Sequence, residues 1–299
     1  MPNKNFIYIF LLTFIAGCDV FNFDEEALIY PTQLEPYEME QLTELNEQFQ
    51  ASNDHICSTL NRYGLTGFSD VLFEGQSSPC LNREPVRIEL TEPDTLLSLA
   101  VETLVMNEGF TGVTDPDKLE LSEMEPLRGC IICEGPNIDS RIIEWKFVFN
   151  SQQINELDVH DSSITVIVDG LGVNRIWGNW YNDPYIPSRA NYLPDEIVEK
   201  LDGQTIEWIE DGELFEHTIL ADSLNIPTEK TIIPFENSEN GNLELRAGWR
   251  IEVPSNQVPF GGWAVFGDKI DGRILLVDKL RKENNFGPIS DSREKFVTN

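Results

Sequence analysis

Cys130-Ile131-Ile132-Cys133 is the nearest thing in this sequence to a reactive motif. A redox Cys-x-x-Cys works by opening a helix, whose partial positive charge lowers the thiol pKa. Here the pair follows Pro126 and Arg128-Gly129 and precedes Glu134-Gly135-Pro136, all turn-forming surroundings. The expectation is therefore a loop staple, with redox exchange as the alternative. Zinc would need two further ligands, and no second Cys-x-x-Cys or paired histidine is present, so no metal is expected. The three histidines, His55, His160 and His217, are scattered, and none stands in a His-Glu-x-x-His arrangement. A Gly-x-Ser-x-Gly elbow is also missing. Carboxylates are so numerous, at 52, that no pair stands out for glycoside chemistry. Asp158, Asp161 and Asp169, and separately Asp268 and Asp271, lie in turns that could hold calcium. They lack the spaced oxygen ligands and glycine of an EF-hand loop, and solvated acidic turns are expected. No cofactor and no enzymatic activity follow from this inventory.

The aromatic residues are better candidates for function. Trp177 and Trp180 fall on opposite faces of one strand, and Tyr181 and Tyr185 continue an extended run to Pro187. Together with Trp263 after Gly261-Gly262, these five form a candidate binding lip, since aromatic anchors dominate recognition surfaces.

The charge narrows the partner. Asp plus Glu is 52 and Lys plus Arg 21, giving -31. Nucleic acid is excluded as a partner, because phosphate contacts need a basic face. Anionic headgroups are excluded as a docking surface for the side chains. With 17 Phe, 7 Tyr and 6 Trp the chain is not a disordered acidic tail.

Residues 1–17 read as an address. Lys4 precedes an eleven-residue apolar run, Phe6 to Ala16, too short to span a bilayer but suited to a signal peptide. Ile15-Ala16-Gly17-Cys18 resembles a bacterial lipobox. That resemblance implies Cys18 as the lipidated first residue of a chain anchored in the cell envelope, on the periplasmic or cell-surface side. Removing residues 1–17 takes away only Lys4 and leaves 52 acids against 20 bases, or -32. The remaining cysteines are Cys57, Cys80, Cys130 and Cys133. An even count in an exported chain points to disulfides, and neighbour pairing is expected among the three possible connectivities.

Elements follow from periodicity. Residues 19–34 form an acidic tether, and Pro36 to Gln50 a helix presenting Met39, Leu42, Asn46 and Phe49. A loop-rich segment bounded by Cys57 and Cys80 comes next. Pro93 and Asp94 open a second helix with Leu97, Val101, Leu104 and Val105 on one face, closed by Gly109. Arg141 to Phe149 alternates as a half-buried strand with Ile143, Trp145, Phe147 and Phe149 inward. Ile164–Val168 and Val173–Trp180 form a hairpin around Asp169-Gly170. Pro194 opens a short helix through Ile197, Val198 and Leu201, ended by Gly203. Strands follow at 205–209, 214–220, 243–253, 263–267 and 273–277. Trp145-Lys146-Phe147-Val148-Phe149 is echoed by Trp249-Arg250-Ile251-Glu252-Val253, and Val166 to Ile176 by Val265 to Leu276.

These motifs as a set resemble the propeptide region of thermolysin-type metalloproteases, a fungalysin/thermolysin propeptide domain joined to a PepSY domain. The first unit carries Trp145 to Phe149, Gln152, Leu157-Asp158-Val159, Ile164-Thr165-Val166 and Ile176-Trp177-Gly178. The second carries Trp249 to Val253 and Val265 to Leu275, with Asp268, Gly272 and Leu275 at matching steps. Glu156 departs from the family's glycine, and Ile270-Asp271 from its threonine step.

The resemblance implies an α+β fold of two tandem antiparallel sheet-plus-helix, PepSY-like units behind a disulfide-tied N-terminal segment. The expected boundaries are a signal peptide at 1–17 and tether, helix and cysteine segment at 18–84. A propeptide-like domain at 85–187, a PepSY-like domain at 188–282 and a tail at 283–299 follow. With no peptidase motif, the expected role is a non-enzymatic binding module that inhibits or assists a secreted or envelope peptidase. The alternative is a surface lipoprotein that binds a peptide, a glycan or an envelope component.

Overall fold

The computed structural model describes residues 30–53, 56, 59–67, 90–132, 139–182, 184–210, 213–224, 229–280 and 295–297. The signal run, Cys18 and the first part of the tether lie outside these residues, as do Cys57, Cys80 and Cys133. The described chain is mixed α+β, with strands predominating.

Strand β1 (Thr32–Leu34) leads into helix α1 (Met39–Ser52), which buries Leu42, Asn46 and Phe49. Met39, expected on the same stripe, stands exposed at the helix start. Helix α2 (Pro93–Met106) begins on Pro93, whose missing N–H costs nothing in the first turn. Its buried stripe is Leu96, Ala100, Thr103 and Leu104, one step from the predicted face. Leu97, Val101 and Val105 pack half-buried against the same cluster. The helix does not stop at Gly109. It passes into the single turn α3 (Glu108–Thr111), which ends on Gly112 at φ 74°. A Cβ there would lie 2.5 Å from the Trp180 carbonyl oxygen, so only glycine fits.

These helices cover a four-stranded antiparallel sheet in the order β2 (Glu120–Ile132), β3 (Asp139–Asn150), β6 (Ser163–Asp169), β7 (Gly172–Asn179). Strand β2 corrects the sequence reading. Residues 126–132, expected as a cysteine loop, continue the strand, with Pro126 opposite Trp145 and Cys130 opposite Ser140. An outer strand with one solvated side can hold proline and lacks clean alternation, so no periodic signal marks it. In β3 only Phe147 and Phe149 are buried, while Ile143 is exposed because β6 stops at Glu144.

Helix α4 (Pro194–Leu201) buries Ile197, Val198 and Leu201 as expected, with Gly203 at φ 75° beyond its end. It packs on a larger sheet in the order β13 (Ile274–Lys279), β12 (Gly262–Asp268), β11 (Leu243–Pro254), β10 (Lys230–Glu236), β5 (Leu157–Val159), β4 (Gln153–Ile154). Strand β1 pairs with β11 beyond the end of β12. Strands β8 (Thr205–Glu210) and β9 (Glu213–Thr218) form the expected hairpin, and β14 (Lys295–Val297) adds to β8.

The sequence echo is a structural repeat. Phe147 pairs with Val166 in the first sheet, and Ile251 pairs with Val265 in the second, two residues after Trp145 and Trp249 respectively. The Trp145 indole donates to the Leu90 carbonyl at 3.0 Å, and the Trp249 indole to the Tyr192 carbonyl at 2.9 Å. Each acceptor lies just before the proline that opens a helix. Asp169 and Asp268 each accept from the backbone N–H two residues on, at 2.7 and 2.6 Å. Each unit thus ties strand, helix entry and turn with the same three devices.

The units are not separate beads. Strands β4 and β5 arise between β3 and β6 of the first sheet, yet β5 runs parallel to β10 of the second. Ile154, Val159, Tyr181, Ile232, Leu243 and Leu245 form a shared core there.

Candidate functional site

Most of the predicted lip belongs to the core. Trp180 and Tyr181 are 5% and 6% exposed. Their backbone is held by Gln152, whose amide nitrogen donates to the Tyr181 carbonyl while its oxygen accepts from the Tyr181 N–H. Trp263 is 0% exposed, packed against Trp208, His217 and Phe260 with ring centroids 5.0, 5.1 and 5.6 Å away. These three are corrected from binding lip to packing. Trp177 and Tyr185 are half-buried. The cleft beside Trp180 leaves room for about one water molecule. That is below the ~300–1,000 Å³ of small-molecule sites.

Of the predicted acidic turns, Asp158 and Asp169 do not converge. Asp169 and Asp158 accept from Asn174 and Gln153 side chains respectively. Asp268 and Asp271 flank Arg246, at 2.6 and 2.9 Å from its guanidinium, and Glu244 completes the cluster. Burial opposes the Arg246 charge, but Asp268 and Glu244 outweigh it and hold its pKa above the ordinary value. Tyr30 donates to Asp268 and accepts from the Ala247 N–H, so the end of the tether is sewn into this cluster. Burial, then Asp268, pushes the Tyr30 phenol far up. Nearby Lys269 is 3% exposed and donates to the Pro187 carbonyl. Burial, and then Lys230, draws its pKa down.

The accessible feature is the β8–β9 hairpin. Cross-strand partners share a face. Ile206 with His217 and Trp208 with Phe215 face the body, and Trp208 stacks on Phe215 at 5.5 Å. Thr205 with Thr218, Glu207 with Glu216 and Ile209 with Leu214 face solvent. Ile209 is 73% and Leu214 60% exposed, with Leu220 at 61% just beyond. Among the described residues β9 is the outer strand of its sheet, and five of its six residues are exposed. Glu207 directly opposite Glu216 costs up to ~1 kcal/mol of like-charge repulsion. The result is a firm, acidic, apolar-tipped edge of the kind an extended segment pairs with.

The sequence carries a signal for this edge. Trp208-Ile209 and Leu214-Phe215 are adjacent apolar pairs beside a turn, so each strand must present one member to solvent.

Cys130 lies on the exposed end of β2 and is not a free thiol. The other cysteines, and with them the expected pairings, fall outside the described residues. No helix among the described residues is long and apolar enough to cross a membrane.

No family model and no curated protein matches the chain. Among solved structures the chain is similar to the Bacillus megaterium YpeB C-terminal domain, at 10% identity over 67% of this chain and 70% of that one, with a TM-score of 0.26. A likeness of that degree carries no residue role across to this chain.

Proposed function

We propose that the protein is a lipid-anchored, non-enzymatic envelope protein. In this reading it binds an extended segment of a secreted or envelope peptidase along β9, and so inhibits the peptidase or assists its folding. The observation that carries the binding role is the open β9 edge, with Leu214 and Ile209 exposed on a hairpin backed by Trp208 and Trp263. A rigid edge loses little entropy on pairing, and its main-chain groups supply affinity while exposed side chains supply selectivity. The charge of -31 favours a partner whose contacting segment is basic, and speeds encounter with it. The choice of a peptidase rests on the propeptide-like motifs around Trp145, Gln152, Trp249 and Asp268. Lipidation of Cys18 supplies the anchor that the acidic side chains do not.

The test uses the processed chain from residue 18, with Cys18→Ser for solubility. It is mixed with the secreted peptidases of the source organism, and their activity and refolding yield are measured. Inhibition or improved yield that is lost in Leu214→Lys supports the proposal. No change in any peptidase sinks it. Retrieval of a glycan or a non-peptidase partner from envelope extracts would favour the surface-lipoprotein alternative.

A further inference from the structure

Away from the β9 edge, one imidazole and two carboxylates meet where the two units join. His160 and Asp161 follow β5, and Asp278 lies on β13, 118 residues from His160. The donor atoms of all three lie within 4.8 Å of one another. His160 Nε2 is 2.8 Å from Asp278 Oδ2 and 3.8 Å from Asp161 Oδ2. Metal–ligand bonds of ~2.0–2.2 Å place neighbouring donor atoms ~2.9 Å apart around an octahedral ion and ~3.4 Å apart around a tetrahedral one. These two separations bracket those values, and the Asp161 and Asp278 oxygens lie within 4.8 Å of each other, so modest side-chain rotation would bring all three onto one ion.

The imidazole is aimed. Its ring lies over Phe266 with centroids 4.2 Å apart, and its backbone N–H donates to Ile232 at 2.8 Å. The neighbouring carboxylate is aimed too. In extended chain, side chains at adjacent positions point to opposite sides. Asp161 adopts φ 54°, a left-handed turn that brings its carboxylate round to the imidazole. The described non-glycine residues with positive φ are Ser151, Asn155, Glu156 and Asp161, all within the insertion that carries His160 and Asp161. Such strain collects where geometry is dictated by function.

We propose that His160, Asp161 and Asp278 form a three-ligand site for a divalent transition cation of the zinc, cobalt or manganese class. One nitrogen and two oxygens suit that class. Calcium and magnesium favour oxygen-only surroundings with more ligands. Side-chain exposures of 36% and 38% at Asp161 and Asp278 leave room for water in the remaining positions. The ion would clip the β4–β5 insertion of the first unit to the outer strand β13 of the second sheet. Sequence spacing hides the site, because its third ligand comes from the other end of the fold.

The experiment titrates the metal-free, untagged chain with Co²⁺ followed by visible absorption, then with Zn²⁺, Ca²⁺ and Mg²⁺ in competition. Thermal unfolding is followed with and without Zn²⁺. One Co²⁺ per chain is expected, displaced by Zn²⁺ and not by equimolar Ca²⁺ or Mg²⁺, together with a Zn²⁺-dependent rise in Tm. His160→Ala is expected to abolish the Tm rise. Asp278→Asn and Asp161→Asn each weaken Co²⁺ binding at least ~10-fold. Asp222→Asn, at an exposed position away from the site, leaves it unchanged. Asp161 is a turn residue, so its isosteric variant keeps the fold even where His160→Ala does not. Co²⁺ spectra identical to the free aqua ion, or affinity undiminished in both Asp161→Asn and Asp278→Asn, would overturn the proposal.

Discussion

Arg246 is the residue on which most buried charge depends. Glu244 and Asp268 are 2% and 0% exposed, and Arg246 is within 2.6 Å of both. A buried pair is weak evidence for stability, but breaking one is costly because it strands charge without water. Arg246→Met is expected to lower unfolding free energy by ~3–5 kcal/mol, read from urea denaturation. Asp271 makes the cluster sensitive to acid. Burial opposes its charge, but the Arg273 amide and guanidinium together with Arg246 outweigh it, holding the carboxyl below its ordinary 3.8. The folded state therefore binds this proton less readily than the unfolded state. The stabilisation is complete above the unfolded value and is lost as pH falls through the lower folded value. The urea midpoint should fall on acidification below about pH 4, and Asp271→Asn should flatten that fall. An Asp271→Asn profile superimposable on the unaltered one would contradict this assignment.

At the scale of elements, close approach decides more than propensity does. Gly112 ends α3 at φ 74°, with the Trp180 carbonyl where a Cβ would sit. Gly112→Ala should cost about 1–3 kcal/mol, seen as a lowered Tm, because strain and collision act together. The β8–β9 hairpin shows the converse. Its inner face is locked by the Trp208, Trp263 and His217 rings, while Ile209 and Leu214 on the outer face stand 73% and 60% exposed. Under the proposed edge pairing, polar substitution of these two residues is expected to act on binding rather than on stability, which is why Leu214→Lys serves as the discriminating variant. Surface changes of this kind shift stability by no more than ~0.5 kcal/mol.

At the scale of the whole molecule, the shared core sets the cooperativity. Ile154, Val159 and Tyr181 come from the first unit, and Ile232, Leu243 and Leu245 from the second. Strand β5 adds main-chain pairing to β10 through Asp158 and Val159. Neither unit can open without exposing apolar surface of the other. A single calorimetric unfolding transition is expected. Ile232→Ala, at a residue 0% exposed, should cost ~2–5 kcal/mol and separate the transition into two. Two transitions in the unaltered chain would show that the junction does not couple the units. The N-terminal tether ends on this same body, since β1 pairs with β11 and Tyr30 bonds Asp268. Any anchor at Cys18 therefore pulls on the second sheet.

Local order alone determined much of this protein. Proline-opened helices at 93 and 194, the alternation through Phe147 and Phe149, and the turns at Asp169 and Asp268 depend on residues within one element, and each is found where the sequence places it. The Trp145 and Trp249 echo marked two similar strand units, and the structure adds their register, Phe147 opposite Val166 and Ile251 opposite Val265. Tertiary structure decided what depends on distant partners. Strand β10 contains Pro234 and carries little alternation, and only its neighbours β5 and β11 make it a strand. Trp180, Tyr181 and Trp263 look alike in sequence to a binding lip, and burial by Gln152, Gly112 and the β8–β9 hairpin makes them core. The meeting of His160 with Asp278 and of Arg246 with Asp271 has no local signature. Such contacts arise when folding brings together segments that are far apart along the chain, and no spacing within one segment encodes them.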